Sequence, residues 1–162
     1  MPEIKLRTVI NSNPEIVFNL SRSIELHKES TKHTNEEAVA GKTRGLMELH
    51  DTVTWRAKHL GVYLTLTSKI TEFTPFQYFT DEMVNGPFKG FKHQHIINNL
   101  DQRVEMIDVF DYESPFGLLG KLADILFLEG YMRRLLIARN QTIKVFAESE
   151  KWREILKAHK SK

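Results

Sequence analysis

Hydrophobic and polar positions alternate with period two over residues 53–59, 91–99 and 104–112, the pattern of half-buried strands. The apolar side of each stretch is interrupted by polar groups. Val53, Trp55 and Ala57 share their side with His59, and Phe91 and Ile97 share theirs with His93 and His95. Asp108 falls between Met106 and Phe110. A buried polar group without a partner costs about 1–3 kcal/mol. Several on one inner face therefore imply mutual pairing, or an interior that holds water or a ligand.

Around these strands the remaining pattern orders itself. Ile4, Leu6, Thr8 and Ile10 alternate with Lys5, Arg7 and Val9 and predict a first strand. Asn13-Pro14-Glu15 predicts a helix start: a side-chain cap, a proline suited to the first helical position, and an acid at the positive dipole end. Two short helices follow, Pro14–Leu20 and Ser23–Glu29, then a polar loop at 30–35 and a short strand at Glu36–Ala40. From Asp51 a meander is expected, with strands near 51–59, 62–73, 77–84, 88–98 and 103–113. Leu60-Gly61 and Asp101-Gln102 read as tight turns, and Asn85-Gly86 is the strongest hairpin signal. Ser114-Pro115-Phe116-Gly117 stops the last strand, and the nearly all-apolar stretch 118–128 is expected to be packed. Leu128, Met132, Leu135, Leu136, Ile143, Phe146 and Ala147 then follow helical spacing, which predicts a long closing helix.

Composition narrows the class. A chain of 162 residues is expected to form a single domain over 1–162, large enough for a sizeable core. Net charge is +2 with both signs scattered, and the mildly basic end from Lys151 lacks the dense cluster that nucleic acid requires. The absence of cysteine excludes disulfide and thiolate chemistry. The start of the sequence shows no apolar signal-peptide core, and the longest apolar stretch, 116–128, falls short of the ~20 residues of a membrane span. No nucleic-acid partner, no stable membrane insertion and a cytoplasmic location are the expectations.

A strand, two short helices, a meander and a long helix make an α+β architecture whose sheet must bury one face against that helix. The order resembles the helix-grip fold of the START-like (SRPBCC) superfamily, to which the birch-pollen allergen belongs, over nearly the whole chain. Within it, Arg22–His27, Val53–His59, Phe88–His95, Tyr112–Gly117 and Tyr131–Leu136 resemble small bacterial stand-alone ligand-binding members. The resemblance implies a curved antiparallel sheet of six to seven strands gripping the C-terminal helix, with a cavity between them. It implies an activity far less, because the fold hosts lipid carriers, hormone receptors and cyclases alike.

The residues suggest several constellations. A two-residue turn at Asp101-Gln102 places His95 opposite Asp108, close enough for the carboxylate to orient the imidazole as a general base does. The same pair serves equally as a satisfied buried contact without turnover. His93 and His95 point to one side, and with Asp108 or His59 could hold a metal. No other metal signature is present, polar cavity lining is the plainer role, and no metal or cofactor is expected. A turn confined to Asn85-Gly86 aligns Thr80 with Phe91. Adding Pro87 aligns Asp81 with Phe91, puts Phe79 and Met83 on the buried side, and makes Asp81 an inward acid; this is the preferred register. Arg139 lies on the apolar stripe of the last helix and requires a carboxylate, a ligand head group or a route to water. Gly41-Lys42-Thr43 resembles the end of a phosphate loop, but Glu36 occupies the required earlier glycine.

The favoured reading is a carrier or binding protein for a small apolar or amphipathic ligand. Trp55, Phe79, Phe91 and Phe110 are candidates for the cavity wall, with Tyr112 beside them. Met132 and Leu136 would face the ligand from the helix, and His59, His93, His95, Asp108 and Arg139 would meet its polar end. The alternatives are a cyclase- or aromatase-like enzyme with His95 as base and Asp108 as its orienting group, and a regulatory interaction module. The last rests on the resemblance alone, since such domains occur fused to epimerase-like domains.

Overall fold

The computed structural model describes residues 2–114 and 127–157. The expected stop at Pro115-Phe116-Gly117 and the packed segment 118–126 lie outside them. Strand β1 (Glu3–Ile10) leads into helices α1 (Pro14–Ser21) and α2 (Ile24–Ser30), then β2 (Glu37–Gly41). The meander comprises β3 (Thr52–His59), β4 (Val62–Thr74), β5 (Tyr78–Asn85), β6 (Gly90–Asn99) and β7 (Val104–Glu113). Helix α3 (Glu129–Ala147) follows, and a short α4 (Trp152–Lys157), not expected from the sequence, tucks Leu156 into the core beyond it. Among the described residues no helix is long and apolar enough to cross a membrane.

Local chemistry sets the ends of these elements. Asn13 caps α1 by accepting the Ile16 amide at 2.9 Å, with Pro14 in the first turn, and Ser23 caps α2 by accepting the Leu26 amide. Leu60 and Gly61 both have positive φ, which matches the twist of a two-residue hairpin and pairs His59 with Val62. At the other end, Leu100 donates to the Arg103 carbonyl at 2.8 Å, and this closure sets the β6–β7 register.

All seven strands form one antiparallel sheet in the order β1-β7-β6-β5-β4-β3-β2. Register shifts in β4 between Thr67 and Ser68 and between Ile70 and Glu72, and in β2 between Ala38 and Ala40, bend the far half of the sheet. Helix α3 lies on the concave side, so the helix-grip architecture stands. Phe18 of α1 closes one end, meeting Phe73, Phe76 and Phe79 edge-on at 5.4–5.8 Å.

The β5–β6 connection departs from expectation. Asp81 pairs with His93, and Phe79 with His95, two positions from the preferred alignment with Phe91. Pairing ends at Glu82 and Lys92, so a wide loop replaces the tight Asn85-Gly86 turn. A shift of two leaves every side chain on its face, and Phe79, Asp81 and Met83 still point inward.

Two apolar clusters fill the interior. One holds Phe18, Phe79, Ile97, Met106 and Ile143; the other holds Ile4, Phe91, Phe110, Tyr112 and Leu136. On each of β5, β6, β7 and α3 they are separated by polar residues: Asp81, then His93 and His95, then Asp108, then Arg139 and Asn140.

Gly41 ends β2 with φ +69°, and a β-carbon there would stand 2.4 Å from the Thr52 carbonyl oxygen. Gly41→Ala should therefore destabilise the fold by about 1–3 kcal/mol, read as a lowered urea midpoint at unchanged slope. A midpoint equal to wild type would show that the β2–β3 edge yields freely.

Candidate functional site

Sheet and helix enclose a cavity of about 400 Å³. Trp55 and Ala57 of β3, Leu64 and Leu66 of β4, Phe91, Phe110, Met132 and Leu136 supply apolar wall. Leu60 also lines it while 68% exposed, which marks the mouth near the β3–β4 turn. Phe79 lines the cavity and stacks on His95 with centroids 4.2 Å apart. Tyr112 is fully buried in the second apolar cluster and is not part of the wall.

The polar residues between the clusters form one network at the cavity floor. His95 and Asp108 face each other across β6 and β7, as the Asp101-Gln102 turn predicts. The hydrogen bonds, however, are shared differently from a simple His95–Asp108 pair. His93 Nε2 is bonded to Asp108 Oδ1 and His95 Nε2 to Asp81 Oδ1, each at 3.0 Å. His95 Nδ1 also lies 3.0 Å from Asp108 Oδ1. Arg139 meets a protein acid: Nη1 donates to Asp108 Oδ1 at 3.3 Å and Nη2 to the Ser21 carbonyl at 2.8 Å. Asn140 donates to Asp108 Oδ2 at 2.7 Å, with Thr8 Oγ1 at 3.4 Å from the same nitrogen.

Electrostatics follow from burial. Desolvation pulls the Asp108 carboxyl upward, but hydrogen bonds from His93 and His95, together with the charge of Arg139, outweigh it and hold the group well below its usual range. Asp81 is held down in the same way, burial being overcome by His95, His93 and Arg139. His93 is pushed down to about 4, chiefly by desolvation and then by its neighbour His95, against the pull of both carboxylates. Asp108 is thus ionised and His93 neutral near pH 7.

A second polar group lies nearer the mouth. His59 Nδ1 is hydrogen-bonded to the Tyr131 hydroxyl at 2.8 Å, and His27 stacks on Trp55 at 4.2 Å with Nε2 3.3 Å from Glu36 Oε2. Burial lowers the His59 pKa and raises that of Tyr131. For Glu36, burial pulls upward, yet His27 and the Thr31 hydroxyl bring it below normal.

His59 therefore stands apart from His93 and His95, and Asp108 has both oxygens engaged. Neither is the third partner that the metal alternative required. The group that shares a point with the two histidines is Asp81, whose ligand atom lies within 4.8 Å of theirs. Sequence reasoning missed Asn140, Tyr131, His27 and Glu36. The spacing offered a signal for the first two: Asn140 lies four residues after Leu136, and Tyr131 lies three after Leu128 and four before Leu135. His27 and Glu36 join the wall through long-range contacts that spacing does not reveal.

The depressed His93 value has a definite sign in folding. An unfolded histidine takes a proton near pH 6.5, whereas His93 in the fold resists until about 4. Stability present above pH 6.5 is therefore lost as pH falls from 6.5 toward 4, on the order of 3 kcal/mol. Further acidification through the lowered Asp108 and Asp81 values removes more. Urea midpoints at pH 7, 5.5 and 4 should fall steadily, and His93→Gln should flatten the slope between pH 6.5 and 4. An unchanged slope in that variant would assign the acid sensitivity elsewhere.

No family model and no curated protein matches the sequence. Solved structures do match the fold. A protein of Thermus thermophilus superposes with a TM-score of 0.71 at 19% identity, covering 91% of this chain and 100% of that one. A ginseng major latex-like protein from Panax ginseng gives 0.66 at 14% identity, over 91% and 98% of the two chains. The Zhui aromatase/cyclase of Streptomyces sp. R1128 gives 0.68 at 13%, over 97% of each. With its seven-stranded antiparallel sheet closed on a long C-terminal helix, the chain has the helix-grip fold that these structures share.

Proposed function

We propose that this protein binds a small apolar or amphipathic molecule in the cavity between the sheet and α3. The observation that carries this reading is the cavity itself. Its volume of about 400 Å³ lies within the range of small-molecule sites. Its walls are mostly aliphatic and aromatic, with a few polar groups gathered at the floor and near the mouth. A ligand seated there removes its apolar body from water against Trp55, Phe91, Phe110, Met132 and Leu136. Its polar groups meet the floor at Asp81, His93 and His95, or the mouth at Glu36, His59 and Tyr131. Arg139, which also lines the cavity, and Asp108 neutralise each other at the floor and hold it in place.

One observation favours a second reading, a cyclase-like enzyme with His95 as general base. His95 stands between two carboxylates, each 3.0 Å from one of its ring nitrogens. This arrangement fixes the orientation of the ring, as the positioning of a general base requires. The two readings part on His95→Asn. Turnover of a model polyketide by wild type that drops by roughly 10²–10⁴-fold in the variant would establish the base. Retained ligand binding without turnover in either protein would leave the carrier.

Trp55 is the largest side chain in the wall. Trp55→Ala should weaken uptake of an apolar fluorescent probe such as anilinonaphthalene sulfonate by roughly 10- to 100-fold. Val145→Ala, exposed on α3, should leave it unchanged. Native mass spectrometry of protein from its own host should show a co-purifying small molecule. If wild type neither takes up the probe nor carries such a mass, the binding reading fails.

A further inference from the structure

The three side chains that would meet a ligand's polar end at the cavity floor also present a donor set of another kind. Asp81 on β5 and His93 and His95 on β6 converge because Asp81 pairs with His93 across the strands, while His95 lies two residues along on the same face. Asp81 Oδ1 is 3.0 Å from His95 Nε2 and 3.8 Å from His93 Nδ1, and all three ligand atoms lie within 4.8 Å of one another. Donors that each stand about 2.0–2.2 Å from one ion must lie roughly 3–3.5 Å from each other. The spacing here is close to that, and small side-chain rotations close the remainder.

The opposite ring nitrogens make the stronger case. His93 Nε2 and His95 Nδ1 each lie 3.0 Å from the same oxygen, Asp108 Oδ1. Histidines that bind metals usually give their other ring N–H to a carboxylate, which fixes ring orientation and raises ligand basicity. One buried carboxylate performs that service for both rings. Asp108 is itself pinned by Asn140 and Arg139, so the supporting shell is rigid. His93 Nδ1 and His95 Nε2 are then left facing Asp81. Among the described residues, the hydrogen bond and ion pairs of Asp81 fall on Oδ1, so Oδ2 keeps coordinating capacity. Arg139 approaches from the Asp108 side, and its contact with His95 Nδ1 is the longest it makes, 3.5 Å. Its charge makes its direct ion pair with Asp108 and reaches Asp81 only at longer range.

We propose that Asp81, His93 and His95 form a binding site for a first-row transition-metal dication at the floor of the cavity. Two imidazoles and one carboxylate suit ions of the zinc or iron(II) class and not calcium or magnesium, which take oxygen ligands. Three protein ligands leave at least one coordination position directed into the cavity. Bound there, the ion takes the place of the proton that His95 Nε2 shares with Asp81; that proton moves to Nδ1, whose N–H then donates to Asp108. The site does not depend on the ligand reading, since its donors are complete without an occupant of the cavity.

The test uses the full chain treated with chelator and then titrated with zinc by calorimetry and with cobalt(II) by visible absorption. Wild type should bind one equivalent in the micromolar range or tighter, with d–d bands characteristic of nitrogen-ligated cobalt. Asp81→Asn keeps the shape of the side chain and should weaken zinc by at least roughly 10–100-fold, the usual loss for a disturbed metal shell. Cobalt(II) should also broaden the imidazole proton resonances of His93 and His95 in wild type, a readout that stands even if the variant folds poorly. Failure of wild type to bind either ion overturns the proposal. So does binding that survives Asp81→Asn but disappears in His27→Ala, because that ion would sit at the His27–Glu36–His59 group near the mouth.

Discussion

The structure is organised around one buried charge. The Asp108 side chain is fully inaccessible, and removing a carboxylate from water costs several kcal/mol unless charges and hydrogen-bond donors replace the lost hydration. The replacement comes from two directions at once: His93 and His95 from the neighbouring strand, and Arg139 and Asn140 from the helix. Each donor reaches Asp108 only when its own element is in register. A slip of β6 by one residue would turn both imidazoles to the outer face. A rotation of α3 by one residue, about 100°, would carry the guanidinium out of reach. The carboxylate thereby favours one docking of helix on sheet, a specificity that apolar packing alone enforces weakly.

The same layer explains why a cavity can persist beside it. Apolar residues above and below are held apart by groups that cannot be compressed into a hydrocarbon core without losing partners. On one side, Phe18, Ile97 and Met106 pack together beneath α1 and α2. On the other, Phe91, Phe110 and Leu136 line open space. The bulges of β4 and β2 turn the far half of the sheet away from the helix, and Trp55 and Leu66 face α3 across that gap. Sheet curvature and the charged layer therefore act together, one opening the space and the other supporting its floor.

How much of this was legible in the chain depended on whether a feature was local. The His95–Asp108 register could be read because Asp101-Gln102 lies in a short closed turn and every pairing counts outward from it. The β5–β6 register could not be counted, because the connection from Asn85 to Gly90 is a wide loop and Asn85-Gly86 suggested a tighter one. Facing survived because an even shift preserves it, and so Asp81 was recognisable as an inward acid though its partner was not. Arg139 was conspicuous as a charge on an apolar stripe, whereas Asn140 beside it was not, since an amide at a helix face carries no comparable penalty for being exposed. Glu36 and His27 belong to a loop and a short helix whose placement is decided by contact with Trp55, and no periodicity encodes that.

Within the floor the labour is divided between two acids of the same residue type. Asp108 spends its whole hydrogen-bonding capacity inside the protein, so changing its partners changes the fold. Asp81 differs by position: its side chain keeps 19% exposure, it lines the cavity, and its described contacts fall on a single oxygen. The free energy that holds the layer together is supplied around Asp108, which leaves Asp81 and the cavity-facing nitrogens of the two histidines available to an occupant. Those atoms form an acid–imidazole surface fixed from behind by Asp108, with the 3.0 Å contact of His95 Nε2 and Asp81 Oδ1 lying within it. Such a surface is preorganised, and binding to it forfeits little in rearrangement.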